Sequence, residues 1–113
     1  MFEEDPDATE GNPVTFVNTF TVHAPADEFE QVFARTASFM SSQPGFLRHT
    51  LLRNISEEHS YINIAHWRDL ASFRKALEHP DFRPHATELR ALSTSQHNLY
   101  AQRQSLPATQ RGH

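Results

Sequence analysis

The 113-residue sequence contains no cysteine and only three glycines, Gly11, Gly45 and Gly112. The first absence excludes disulfides, thiolate nucleophiles and cysteine-ligated metals. The second removes the glycine-rich loop that cradles the phosphates of a nucleotide or dinucleotide. Basic residues are also few. Ten Lys and Arg against fourteen Asp and Glu give a formal net charge of −4, with no basic stripe. A phosphate backbone needs such a patch, so nucleic acid is not an expected partner. No apolar run approaches the ~20 residues of a membrane span, and the N-terminus lacks the basic and apolar regions of a signal peptide. A cytoplasmic protein that does not meet a membrane is the resulting expectation. Histidine is plentiful, at eight. No two of them stand at i, i+2 or i, i+4, and no acid–His ligand motif is present, so no metal site is expected.

What remains is a single domain with a modest core. Hydrophobic residues make up 37% of the chain, nine of them Phe, and the mean hydropathy is −0.64. The polarity is concentrated at the ends. Residues 1–13 are acidic and turn-rich, and residues 104–113 lack an apolar period. Both stretches are expected to be flexible tails around one folded unit over residues 14–103.

Within that unit, Val14 to Val22 is rich in β-branched and aromatic residues and predicts a first strand. His23-Ala24-Pro25-Ala26 breaks it. Asp27 is the expected N-cap of a helix whose apolar positions, Phe29, Val32, Phe33, Thr36, Ala37 and Met40, follow the 3.6-residue period. Gln43-Pro44-Gly45 stops that helix. Phe46 to Asn54 predicts a second strand, and Tyr61 to Trp67 a third that pairs back on it. Asp69 caps a second helix with Leu70, Phe73, Ala76 and Leu77 inward. A short helical piece from Asp81 to about Leu92 precedes a last strand, Gln96 to Gln102. The order β-α-β-β-α-β, with an extra helical segment, predicts an α+β ferredoxin-like sandwich.

The third strand is the most telling. Strand side chains alternate, so Tyr61, Asn63, Ala65 and Trp67 share one face, and Ile62, Ile64 and His66 the other. Asn63 and Trp67, the only tryptophan, stand roughly 13 Å apart at ~3.3 Å per residue. An amide beside a large aromatic, under a covering helix, suits a pocket for a flat organic molecule. Trp67 as a core anchor, with Asn63 bonding nearby backbone, is the purely structural reading of the same pattern. Ile62 and Ile64 on the opposite face predict that a second copy of the chain covers it, giving a homodimer whose sheets meet back to back.

These pieces together resemble the antibiotic biosynthesis monooxygenase domains, which are dimeric α+β barrels. The resemblance spans about Val14 to Arg103. It is carried by the first strand from Val17 to Val22, by Gln43-Pro44-Gly45-Phe46-Leu47, by the strand Tyr61 to Trp67, by Phe73 six residues later, and by His97-Asn98-Leu99-Tyr100. It implies one of several activities. One branch oxidises anthrone-like aromatic polyketides to quinones in secondary metabolism with O2 alone, using neither metal nor flavin. In that branch an Asn and a Trp match Asn63 and Trp67, an Arg on the last helix matches Arg90, and a Tyr stands where this chain has Phe73. A second branch binds and opens heme. Its first-strand Asn matches Asn18, but its Trp position holds Ala76. Its axial His falls at Ala86, one residue from His85, a turn of about 100° on a helix, which Pro84 would have to accommodate.

The resemblance therefore implies a cofactor-independent monooxygenase acting on a small aromatic substrate and O2. Heme binding or heme degradation is the alternative, and a non-catalytic barrel that binds a small ligand is a third. In the first reading Asn63 and Asn18 donate to a developing oxyanion, Arg90 adds positive charge, and Trp67, Phe73 and Phe20 stack on the rings. His49 and His85 are the candidates to contact the substrate or take its proton. The structural counterparts are a cross-strand bond for Asn18, an ion pair with Glu88 for Arg90, and a core role for Phe73.

Overall fold

The computed structural model describes residues 11–109, so most of the acidic stretch expected over residues 1–13 lies outside the described residues. The elements run β1 (Val14–Val22), α1 (Ala26–Ser41), β2 (Phe46–Arg53), β3 (Ser60–Trp67), α2 (Leu70–Glu78), α3 (Phe82–Leu92) and β4 (Ser93–Ala101). The strands form one antiparallel sheet in the order β2-β3-β1-β4. This is the expected ferredoxin-like α+β sandwich with an additional helix.

Register explains the core. β1 pairs with β3 from Val14 opposite Trp67 to Thr21 opposite Ser60. Phe20, Val22, Tyr61, Asn63, Ala65 and Trp67 therefore share one face, and all are buried. The periodic stripe of α1 packs on that face through Phe29, Val32, Phe33 and Thr36. Two aromatic groups result. Around Phe29, which is fully buried, ring centroids lie 4.9 Å from Tyr61 and 5.3 Å from Phe20. Around Trp67, Phe46 meets the indole edge-on at 5.2 Å and Phe73 at 5.7 Å. Offset and edge-on pairs of this kind add about 0.5–1.5 kcal/mol beyond burial.

Several local expectations are corrected. Asp27 is not the N-cap of α1. The helix starts two residues earlier, behind Pro25, whose carbonyl accepts from the Phe29 N–H (3.1 Å), while Asp27 Oδ1 accepts from the adjacent Glu28 N–H. Proline carries no side-chain acceptor, and this helix has no side-chain cap. Asp69 does cap α2, its Oδ1 accepting from the Ser72 N–H at 2.7 Å. Leu77 is inward only in part: it is 39% exposed and stands at the margin of the helix-covered face rather than in the core. β4 begins three residues before the expected Gln96, because backbone pairing with β1 continues to Val22 opposite Ser93. Pro84 does not disturb α3. It sits in the first turn, where its missing N–H has no intrahelical acceptor to lose.

Two features of the turn into β2 matter for the site. Gly45 has φ +89°, and an added Cβ would collide with the Ser72 side chain on α2. Its carbonyl also accepts from the Arg68 N–H at 2.7 Å, fastening this turn to the start of α2. Immediately after it, β2 carries a β-bulge. Phe46 is opposite Trp67, yet Arg48, two residues on, is opposite His66. Leu47 is the extra residue, and it is exposed.

Candidate active site

The inner face of the sheet, α1, α2 and α3 enclose a cavity of about 100 Å³. From the sheet come Asn18 and Phe20 on β1, Phe46 and His49 on β2, and Asn63, Ala65 and Trp67 on β3. The helices add Phe33 and Met40 from α1, Phe73 and Leu77 from α2, and Phe82 and Leu89 from α3. Six of the eight residues singled out from the sequence, Asn18, Phe20, His49, Asn63, Trp67 and Phe73, thus face one space.

The walls are almost wholly apolar, and the polar groups are few and placed. Asn63 is 8% exposed, and its Oδ1 lies 3.1 Å from His49 Nδ1. Asn18 is opposite Asn63 across the β1–β3 pair, and its Oδ1 is buried without a hydrogen-bond partner. Thr36 turns inward on its own helix, its hydroxyl donating to the Val32 carbonyl. Trp67 is 1% exposed and Phe73 4%. Phe73 contacts Phe16 at 4.9 Å between centroids, which extends the aromatic wall along β1. Phe16 was readable as a partner of Asn18 and Phe20 by strand alternation. Phe82 and Leu89, seven residues apart on α3, were readable only once that segment was known to cover the sheet.

Arg90 and His85 do not line the cavity. Phe82 and Leu89 are the α3 residues turned inward, and Arg90, one residue on, is rotated by about 100°. It lies in an outer depression with Glu78, His79, Arg83 and Ala86. Leu77 and Phe82 border both spaces. Glu88, the expected ion-pair partner of Arg90, is instead 3.5 Å from Arg35 on α1. His85 faces α1, its ring stacked on Phe39 at 5.4 Å, and its buried Nδ1 has no partner. Among the described residues no three His, Asp or Glu side chains gather as metal ligands, and no helix is long and apolar enough to cross a membrane.

The far face of the sheet is different in kind. Val17, Ile62 and Ile64 are only half-buried there. His66 lies among them, its Nδ1 3.2 Å from Thr15 Oγ1. Burial, and secondarily the nearby Arg48 guanidinium, lowers its pKa below the ordinary imidazole value.

Comparison with known proteins follows the same lines. Residues 13–88 match the family model for antibiotic biosynthesis monooxygenase. The chain is 59% identical over 101 residues to deoxynogalonate monooxygenase of Streptomyces nogalater, covering 89% of this chain and 86% of that one. It superposes on the crystal structure of SnoaB, a cofactor-independent oxygenase from Streptomyces nogalater, with a TM-score of 0.83 and 61% identity. That match covers 85% of this chain and 98% of the other. A mycobilin-producing heme oxygenase of Mycobacterium tuberculosis is more distant, 35% identical over 75 residues, or 66% of this chain and 71% of the other. The chain belongs to the antibiotic biosynthesis monooxygenase family.

Proposed function

We propose that the chain is a cofactor-independent monooxygenase that oxidises an anthrone-like aromatic polyketide to a quinone with O2, in secondary metabolism. The observation that carries this reading is 59% identity, over nearly the whole domain, to a monooxygenase of a named polyketide acid. An aromatic cavity fitted with two amides supports it. The overall reaction balances without an added reductant: an Ar–CH2–Ar carbon and O2 give the Ar–CO–Ar ketone and water. Loss of one proton from the methylene leaves an electron-rich anion, and that anion reduces O2. The protein's part is to hold the rings flat, favour the anion and exclude bulk water.

In this reading Trp67, Phe73 and Phe20 hold the ring system. Asn63 donates through its amide nitrogen to the oxygen that gains charge on deprotonation. One buried donor of this kind is worth about 2.7–4 kcal/mol in a transition state. Asn18 has a different part from the one expected of it, since its orphaned Oδ1 calls for a donor and suits a protonated phenolic hydroxyl of the substrate. Ligand pockets commonly measure about 300–1,000 Å³, well above the 100 Å³ of this cavity. A ring system therefore needs neighbouring side chains to move, and Leu77 and Phe82, which also border the depression that holds Arg90, are placed to do so and to bring Arg90 towards its anionic periphery. His85 serves packing between α1 and α3 rather than the substrate.

Heme fits these residues poorly. His85, which stands beside the axial position in sequence, points away from the cavity onto Phe39. His49, the imidazole that does line the cavity, has its Nδ1 against Asn63 Oδ1. The Trp position of the heme branch holds the small residue Ala76, buried in the core. The half-buried Val17, Ile62 and Ile64 support a homodimer formed across the open face of the sheet, and the cytoplasm is the compartment this reading assigns to it.

The test is oxygen uptake by the purified protein with a model anthrone in the presence of a chelator. Wild type is expected to consume O2 well above the spontaneous rate, and Asn63→Ala to lose roughly 10²–10³-fold in kcat. Uptake no faster than the spontaneous rate would overturn the reading.

A further inference from the structure

The β-bulge at Leu47 is what brings His49 into the cavity. Without it, strict alternation from Phe46 would send residue 49 to the far face of the sheet, since positions three apart point in opposite directions. With Leu47 left unpaired, Phe46 and His49 both face inward. Bulges recur beside active sites because they re-aim a side chain in this way. His49 is opposite Ala65, so Asn63 is its diagonal neighbour on the next strand, within reach of a long side chain. The ring is steadied on both sides, its centroid 5.8 Å from Phe33 and 6.3 Å from Phe46.

The contact has a direction. An amide oxygen only accepts, so the 3.1 Å approach of His49 Nδ1 to Asn63 Oδ1 requires the proton on Nδ1. With Oδ1 engaged, both donors of the Asn63 amide are on the opposite atom, Nδ2. A free amide has two orientations related by a half-turn, one presenting a donor and the other an acceptor. Only the donor orientation serves a developing oxyanion.

We propose that His49 is a positioning residue, held in the Nδ1–H tautomer, that locks the Asn63 amide so that its nitrogen faces the substrate. This inference rests on the monooxygenase reading for its kinetic consequence, but not for its geometry. Misplacing a reacting group by about 1 Å costs on the order of 100-fold, and that bounds the effect expected here.

Two measurements test it. Long-range ¹H–¹⁵N NMR of the ring nitrogens of the wild-type protein near pH 8 reads the tautomer without any substrate. A pyrrole-like Nδ1 and pyridine-like Nε2 are expected, and the reverse would overturn the proposal even if the protein oxidises anthrones. The second is a double-mutant cycle by oxygen uptake with His49→Phe, Asn63→Ala and the pair. His49→Phe is expected to lower kcat by roughly 10- to 100-fold with KM nearly unchanged and an unchanged melting temperature. On the Asn63→Ala background it should cost nothing more, and His49→Gln, which keeps a donor, should recover part of the loss. An equal loss in both backgrounds would mean that His49 acts by itself, as a base or a wall, and would overturn the proposal. Should wild type consume no O2 with any anthrone, the functional reading fails, while the tautomer measurement still decides the geometry.

Discussion

Tyr61 shows how much a single side chain of this core can be asked to do. It is buried under Phe29, its hydroxyl donates to Glu30 Oε2 at 2.7 Å, and the Arg53 guanidinium lies 5.8 Å from the ring centroid. Burial, and next the hydrogen bond to an already anionic carboxylate, push the phenol up to about 12 from 10.0. A folded-state value above the unfolded one means the neutral phenol favours folding. That contribution is complete below pH 10 and is lost as the pH rises from 10 towards about 12. Melting temperatures of wild type should therefore fall more steeply across that window than those of Tyr61→Phe. Parallel curves would show that the buried hydroxyl does not ionise with unfolding. The same residue-scale economy governs the cavity, where two amides and one imidazole are the principal polar groups among aromatic walls.

At the scale of elements, α2 is nine residues long and depends on its N-terminus. Asp69 accepts the Ser72 N–H at 2.7 Å, and this bond is the largest cause holding its carboxyl below the ordinary value. A depressed folded-state value means stability present above pH 3.8 and lost as the pH falls through the lower, folded value. Replacing the cap, Asp69→Ala, should cost about 0.5–2 kcal/mol at neutral pH. The gap from wild type should narrow as the pH falls below 3.8. Chemical denaturation at pH 7 and at pH 3 checks both parts, and a gap that stays constant with pH would refute them.

How far the sequence announces these elements can be argued from the same places. The β1 and β3 strands were legible because alternation and burial agree residue by residue, and Asp69 because a cap is a local signal. The inward turn of Asn18, Asn63 and Trp67 follows from that alternation alone. The bulge at Leu47 has no such signature. It shows only in the pairing with β3, which is long-range, so the inward aim of His49 was invisible in the local pattern. That Arg90 and His85 stand outside the cavity was hidden for a related reason: the helical period tells which residues share a face, but not which face meets the sheet. The start of β4 at Ser93 likewise depends on a partner strand about seventy residues away, not on the polar residues Ser93, Thr94 and Ser95 themselves.

For the whole molecule, the sheet has one face covered by helices and one open. Half-buried Val17, Ile62 and Ile64 on the open side set up the self-association proposed above. A charge introduced at its centre, Ile64→Glu, should convert a dimer into a monomer by sedimentation equilibrium. The cavity is on the opposite side, so the fold should be kept. A wild-type monomer at micromolar concentration would refute the proposed dimer.

The sheet order carries one more consequence, and it concerns time. β1 is an interior strand, and one of its two neighbours, β4, is the last element of the fold, with Val14 opposite Ala101. During synthesis β1 must therefore wait, with one edge unpaired, until nearly the whole domain has followed. Such non-local closure slows folding and prolongs the exposure of an unpaired edge. A chain truncated before Ser93 would hold, of the described elements, every helix and every strand but β4, yet would still present the edge of β1 to any other strand that meets it.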